Sequence, residues 1–356
     1  MHRLLLSPGP VETPQHIRTI GSEPLAYFRG NIFAQEMIDL TEDMKYLFQT
    51  KSTPITLASS GSGAMEMSLV NLFEEGDTVI VINGGSFGKK WVTMCNAFHL
   101  NVIEFELEYG ALPDLQQIEN ALKRPEVKGL LVNMHETSTG VLYDIEAMGE
   151  ITHTHDKLFV VDGISSIGAD EFHMDDWHCD CTMVSSNKAL ACMPGLSFIV
   201  FSDKALEVVK KNTRPKYYFD ALDYLNNIPR GMTPFTPAMN IIMQVKATMQ
   251  DIKNMGIEAY NNKHTKLATT LRDLINSTDG YEIFGQRKSN ALSTIKLPSN
   301  LNNREVIEYF KEELNIEIAP APITRTDLLR ISHMGDLNAS HMESFVQHLI
   351  SYQESL

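Results

Sequence analysis

Lys188 stands in the segment Val184-Ser185-Ser186-Asn187-Lys188-Ala189-Leu190, where an apolar run beginning at Cys181 breaks into small polar residues. A lysine at a strand edge, among small and apolar neighbours, can be desolvated. Desolvation lowers the ammonium pKa and frees a nucleophilic amine for a Schiff base. Taken alone it reads as a surface lysine in a turn, and the rest of the chain has to decide. Twenty-six residues earlier, Asp162 ends the apolar run 158–161. A carboxylate there is costly unless it meets a cation or a hydrogen-bond donor. Ser59-Ser60-Gly61-Ser62-Gly63 follows the run 55–58 and opens a helical pattern. Free N–H groups and the helix dipole at such a start attract an anion. Phe87 rides in Asn83-Gly84-Gly85-Ser86-Phe87-Gly88, after the run 78–82, and an aromatic so placed can stack on a flat ligand ring. The cluster His135-Glu136-Thr137-Ser138-Thr139-Gly140 follows the run 129–134. Each has a plainer alternative: a cap for the serine loop and for Asp162, a core ring for Phe87.

These segments share a place in the chain, directly after a β-branched apolar run. Seven such runs occur, at 55–58, 78–82, 102–105, 129–134, 158–161, 181–184 and 196–201. Helical patterns at 65–73, 89–98, 115–122 and 145–155 separate several of them. The alternation predicts an α/β fold whose large, mostly parallel sheet has seven strands and is covered on both faces. In such sheets ligands bind beyond the carboxyl ends of the strands, where every candidate residue falls. Residues 214–237 lack periodicity and read as an irregular excursion able to reach a partner subunit. Long helical patterns follow at 238–255 and 259–275. Beyond Ser277, strand patterns at 281–283, 291–296 and 328–332, with helical ones at 304–313 and 340–352, predict a small C-terminal α+β domain. The expected division is an N-terminal segment, 1–13, a large domain, 14–255, and a small domain, 256–356.

Composition narrows the function. Thirty basic against forty-five acidic side chains give a formal charge of −15, which argues against a nucleic-acid surface but not against a local pocket for a small anion. No apolar run approaches the roughly 18 residues of a membrane span, and the apolar stretch near the N-terminus is too short for a signal peptide. Cys95, Cys179, Cys181 and Cys192 therefore read as reduced thiols of a cytoplasmic protein. His178, Cys179 and Cys181 invite a metal reading, as do His153 and His155. Neither group has a second pair at zinc spacing, and no metal is expected. A dinucleotide fingerprint from Gly61 and Gly63 would need Gly at position 66, which is Glu66, and no Gly-Lys-Ser/Thr phosphate loop follows.

An anion loop, a stacking ring, a buried carboxylate and a lysine are together what pyridoxal 5'-phosphate requires. The carboxylate keeps the ring nitrogen protonated and the lysine carries the imine. With these residues assembled, the chain resembles the class V aminotransferases of fold type I, in the branch of alanine–glyoxylate, serine–pyruvate and 2-aminoethylphosphonate–pyruvate aminotransferases. The likeness runs from Ser7-Pro8-Gly9-Pro10-Val11 to Leu329-Arg330-Ile331-Ser332. It is carried by Ser60-Gly61-Ser62-Gly63-Ala64-Met65-Glu66, Glu136-Thr137-Ser138-Thr139-Gly140, Val161-Asp162-Gly163-Ile164-Ser165-Ser166, and Ser186-Asn187-Lys188-Ala189-Leu190 before Pro194-Gly195.

The resemblance implies that Lys188 bonds to the cofactor and shuttles protons, and that Asp162 pairs with the ring nitrogen. Ser60, Gly61 and Ser62 would hold the phosphate with help from Asn187, Phe87 would stack on the ring, and Thr137 would lie beside it. Arg330 would clamp the substrate carboxylate, with Gly9 and Arg29 also at the substrate. Thr236, or Thr233 in its place, would reach the cofactor of a partner subunit in a homodimer with shared sites. The implied reaction is ping-pong transfer from a small amino acid or aminophosphonate to pyruvate or glyoxylate. Arg29, Lys89 and Lys90 are the basic residues that an aminophosphonate would need. Alternatives on the same scaffold are a pyridoxal-phosphate lyase and a non-catalytic cofactor-binding protein. A cysteine desulfurase is disfavoured because no cysteine follows Cys192.

Overall fold

The computed structural model describes residues 3–322 and 325–356. Its large sheet consists of β1 (Ile55–Leu57), β2 (Thr78–Asn83), β3 (Asn101–Glu106), β4 (Val127–Asn133), β5 (Leu158–Asp162), β6 (Cys181–Ser185) and β7 (Ser197–Phe201). The order across the sheet is β1-β7-β6-β5-β4-β2-β3. β7 runs antiparallel to both its neighbours, and the other pairs are parallel. Alternate residues feed two cores. Ile80, Ile82, Leu130, Val132, Phe159 and Val161 pack on one face. Val79, Val81, Leu131 and Val160 pack on the other. Burial on both faces is why these strands are near-continuous apolar runs rather than alternating ones.

Helices supply the covering layers: α1 (Asn31–Phe48), α2 (Gly61–Leu72), α3 (Ser86–Ala97), α4 (Leu115–Leu122), α5 (Ile145–Thr154), α6 (Asp203–Lys211), α7 (Met239–Met255), α8 (Ile257–Asn276), α9 (Asn303–Glu312) and α10 (Ala339–Glu354). α1 has no counterpart in the expected elements, although Phe33, Met37, Leu40, Met44 and Leu47 recur at helical spacing and all enter the first core. It packs beside α7, whose Ile242, Val245, Met249 and Ile252 line the same core. Residues 214–237 are not wholly irregular either. A helix, Ala221–Asn227, and a short 3-10 turn, Ile228–Arg230, lie within them. That segment is tied to α2 by the Phe219 carbonyl, which accepts from Asn71, and to the residue after β1 by the Tyr218 hydroxyl, which donates to the Ala58 carbonyl.

A second sheet, all antiparallel, is built from β8 (Glu282–Ile283), β9 (Leu292–Lys296), β10 (Ala319–Pro320) and β11 (Leu328–Ser332), in the order β8-β9-β11-β10. It packs with α8, α9 and α10 on a third apolar core. The N-terminal strand Leu4–Leu5 pairs in parallel with Ile316–Glu317, and the Leu6 carbonyl accepts from the Ser332 amide at 2.7 Å. Those bonds anchor the first residues so that Pro8 and Gly9 arrive over the carboxyl end of β6.

Candidate active site

Lys188 lies in the turn after β6, and its Nζ donates to the Pro8 carbonyl at 2.6 Å. Gly9 closes over the same amine. Its φ of +146° is one that side chains rarely adopt, and a Cβ there would overlap Lys188 Nζ. Burial, followed by the nearby Arg330 guanidinium, lowers the Lys188 pKa from 10.5 to about 8. The amine is thus desolvated, as its sequence neighbourhood suggested.

Asp162 ends β5, one strand away, and is buried. Its carboxylate accepts from Asn133 Nδ2 at 2.6 Å and from the Ile164 amide at 2.8 Å. Asn133 comes from the adjacent strand, in register with Asp162. Burial raises the Asp162 pKa to about 6 despite those donors. Beside it runs a short hydroxyl relay. Thr137 Oγ1 lies 2.6 Å from Ser165 Oγ, which lies 3.1 Å from His135 Nδ1. Burial depresses His135 to about 3, so this imidazole is neutral.

Two glycine- and serine-rich loops start helices here, and they differ in what their free N–H groups meet. α3 is closed. The buried Glu136 carboxylate accepts from the amides of Phe87 at 3.2 Å and Gly88 at 2.9 Å, while Ser138 Oγ accepts from the Ser86 amide at 3.0 Å. Glu136 therefore caps α3 from another strand end and fixes the loop that carries Phe87. α2 is open. Its N-cap Ser60 makes no side-chain capping bond, and Gly61 passes so close to Ile164 that a Cβ would overlap that side chain. Ser60, Gly61, Ser62, Phe87, Thr137, Asp162, Asn187 and Lys188 all line one cavity of roughly 190 Å³, together with Lys90 and Ser165.

Arg330, on β11, does not line this cavity but adjoins it through Thr137. It donates from Nε to the Pro320 carbonyl at 2.8 Å and from Nη1 to the Thr137 carbonyl at 3.0 Å. Arg29 is not brought to the cavity. It is exposed and lies over the Phe28 ring, 5.0 Å from its centroid. Thr233 Oγ1 is spent on the Phe235 carbonyl at 2.7 Å, whereas Thr236 is exposed. Pro8, Asn133 and Ser165 were not singled out from the sequence. For Asn133 a signal existed, a polar residue ending an apolar run beside the Asp162 strand. Among the described residues, no group of three or more His, Cys, Asp or Glu converges to hold a metal ion.

The sequence profile of the family Aminotransferase class-V matches residues 26–320. This chain belongs to the class-V aminotransferases. It is 29% identical over 345 residues to serine–glyoxylate aminotransferase of Arabidopsis thaliana, covering 94% of this chain and 86% of that one. It is also 29% identical over 338 residues to a protein of Synechococcus sp. named soluble hydrogenase, small subunit, covering 93% and 88%. Alanine–glyoxylate aminotransferase of Nostoc sp. has the same fold, with a TM-score of 0.94 at 22% identity over 98% of this chain and 96% of that chain. The class-V chain thus has the mostly parallel seven-stranded α/β sheet that its alternation implied, in the fold-type-I architecture that its resemblance implied. No helix among its described residues is long and apolar enough to cross a membrane.

Pyridoxal 5'-phosphate is testable against this donor set. The open α2 N-terminus suits a phosphate, the Phe87 ring a flat heterocycle, the buried Asp162 a ring cation, and Lys188, its ammonium destabilised by burial, an aldehyde. The residues fit the group.

Proposed function

We propose that this enzyme moves an amino group from a small amino acid or aminophosphonate to glyoxylate or pyruvate by a ping-pong reaction, using pyridoxal 5'-phosphate. The observation that carries the reading is Lys188, held over a cavity that also presents Asp162 and an uncapped helix start, with its amine shifted to about 8. When bound, the cofactor supplies an aldehyde for amines to condense with and a ring that draws electrons from the bond being broken. Lys188 Nζ would take the proton from the donor's α-carbon and, once charged, release it to the carbon contributed by the cofactor's aldehyde and not back to the donor, a double role favoured by a pKa near working pH. Asp162 holds a proton on the ring nitrogen, Phe87 orients the ring, and Ser60, Gly61, Ser62 and Asn187 bind the phosphate. Arg330 offers its fork to the α-carboxylate common to donor and acceptor. Pro8 and Gly9 roof the amine and exclude water from it.

The glyoxylate in the names of relatives supports that acceptor. We assign the catalytic unit to a homodimer of the cytoplasm in which Thr236 reaches the neighbouring cofactor, because Thr233 is engaged internally. Arg29, exposed on its own subunit, would touch substrate only across that interface. The large and small domains divide at Gly256, where α7 ends and α8 begins with φ at +89°. The decisive experiment offers alanine, serine and 2-aminoethylphosphonate in turn as donors, with glyoxylate or pyruvate as acceptor. Amino transfer by the wild type and its loss in Lys188→Ala are expected. No transfer from any donor, or undiminished transfer by Lys188→Ala, sinks the reading.

A further inference from the structure

Lys90 and Lys89 are neighbours on α3 but lead different lives. Lys89 is exposed and paired with Glu104 at 3.3 Å. Lys90 points into the cavity instead, on the α3 face that it shares with Phe87 three residues earlier. Its Nζ lies 3.2 Å from Ser62 Oγ and 5.0 Å from the centre of the Phe87 ring. Among the described residues, no carboxylate lies within ion-pair distance of it. Its charge acts on the Asp162 carboxylate without a direct ion pair, and a half-buried ammonium so placed is costly unless a closer anion is supplied.

We propose that Lys90 is a second, charge-bearing anchor for the cofactor's phosphate, working with Ser62 and the start of α2. The inference rests on the functional reading above and adds a residue to it. A phosphate monoester carries about −1.5 to −2 charges near neutral pH, and a helix N-terminus offsets only about half a charge. Serine hydroxyls and backbone amides add none. One ammonium at Ser62 brings that end of the cavity close to neutrality, while Arg330, held on the Thr137 carbonyl, is left for a carboxylate. Lys90 thus explains how an acidic protein holds a dianion using a single cation at that end. The same position argues against a donor role, because the Ser62 hydroxyl it touches belongs to the helix start, whereas Arg330 bonds the Thr137 carbonyl.

The test compares binding of pyridoxal 5'-phosphate and of pyridoxal, which has the same ring and aldehyde but no phosphate. Cofactor-free wild type, Lys90→Met, Lys90→Gln and Lys90→Arg are titrated with each, following the visible absorbance that the aldehyde acquires on bonding Lys188. A hydrogen bond to a charged group is worth roughly ten- to hundredfold in affinity. The Met and Gln variants should lose that factor for the phosphorylated aldehyde alone, while Arg should retain most of it. Pyridoxal binding, unchanged throughout, reports an intact fold and an intact Lys188. An unaltered ratio of the two affinities in both neutral variants overturns the proposal. So does a variant that keeps the ratio but has a raised KM for 2-aminoethylphosphonate relative to alanine, which would assign Lys90 to the donor. If the wild type takes up neither aldehyde, the functional reading itself has failed, a result distinct from the others.

Discussion

At the scale of single residues, the site is a set of charges kept from their usual partners. Lys188 bonds only a carbonyl, and Arg330 is seen bonding two, so neither cation is neutralised by a carboxylate among the described residues. Burial and Arg330 disfavour the Lys188 ammonium, which loses its proton near pH 8 rather than 10.5. The neutral fraction therefore rises about tenfold per pH unit below 8 and levels off above it. Capture of the cofactor aldehyde, followed by stopped-flow absorbance, should trace that curve. Arg330→Gln removes a repelling charge and should move its midpoint upward. A midpoint near that of an ordinary lysine in the wild type would refute the desolvated amine. The sign for stability follows from the same shift. Between pH 8 and 10.5 the unfolded chain holds a proton on this lysine that the folded chain lacks, so its contribution favours folding increasingly as pH rises through that window.

At the scale of elements, two helix starts that look alike in sequence do opposite jobs, and Glu136 decides which is which. By capping α3 it closes that start and fixes Phe87, leaving α2 as the start open to an anion. Glu136→Ala strips the buried amides of Phe87 and Gly88 of their acceptor and should cost about 2–4 kcal/mol of stability. A urea midpoint that falls at unchanged slope would show it. Cofactor affinity should fall as well, because the ring platform loosens; a variant as stable as wild type would show the cap to be dispensable. The distinction was not legible in the sequence. His135-Glu136-Thr137-Ser138 reads as a polar cluster after a buried strand, and only tertiary structure brings its carboxylate to residues 87 and 88. The strands were legible, to within one or two residues at most ends, because apolar β-branched runs buried on both faces admit few other readings. Helix starts were less so: α2 and α3 begin three or four residues before their periodic patterns, in Gly and Ser, whose weak helix propensity gives no signal and, at α3, is offset by the Glu136 carboxylate that meets its N–H groups. The roof over Lys188 was invisible for a similar reason, since nothing local in Ser7-Pro8-Gly9 announces that pairing near residue 316 will deliver it to a turn 180 residues away.

At the scale of the whole molecule, the proposed homodimer with shared sites can be tested at Thr236. Its segment is held by Phe235, which stacks on Tyr218 with ring centroids 4.6 Å apart. Its own side chain faces outward. Nearby apolar exposure, with Tyr217 80% exposed on the adjoining turn, fits a surface that a second copy covers. If Thr236 serves the partner's cofactor, Thr236→Ala and Lys188→Ala act on complementary sites. In a mixed dimer of the two variants, the subunit that keeps Lys188 receives Thr236 from its partner and is complete. The other subunit lacks its lysine and is dead. Such dimers, made by co-expression with two different affinity tags, should show about half of wild-type activity per dimer and bind one cofactor with wild-type affinity. If Thr236 acts within its own subunit, the only lysine-bearing site in the mixed dimer is also the one missing the hydroxyl. Its affinity should then be lower by the roughly tenfold that one hydrogen bond to a phosphate is worth. The two cases differ in affinity and not merely in rate, so the measurement separates a shared site from two independent ones.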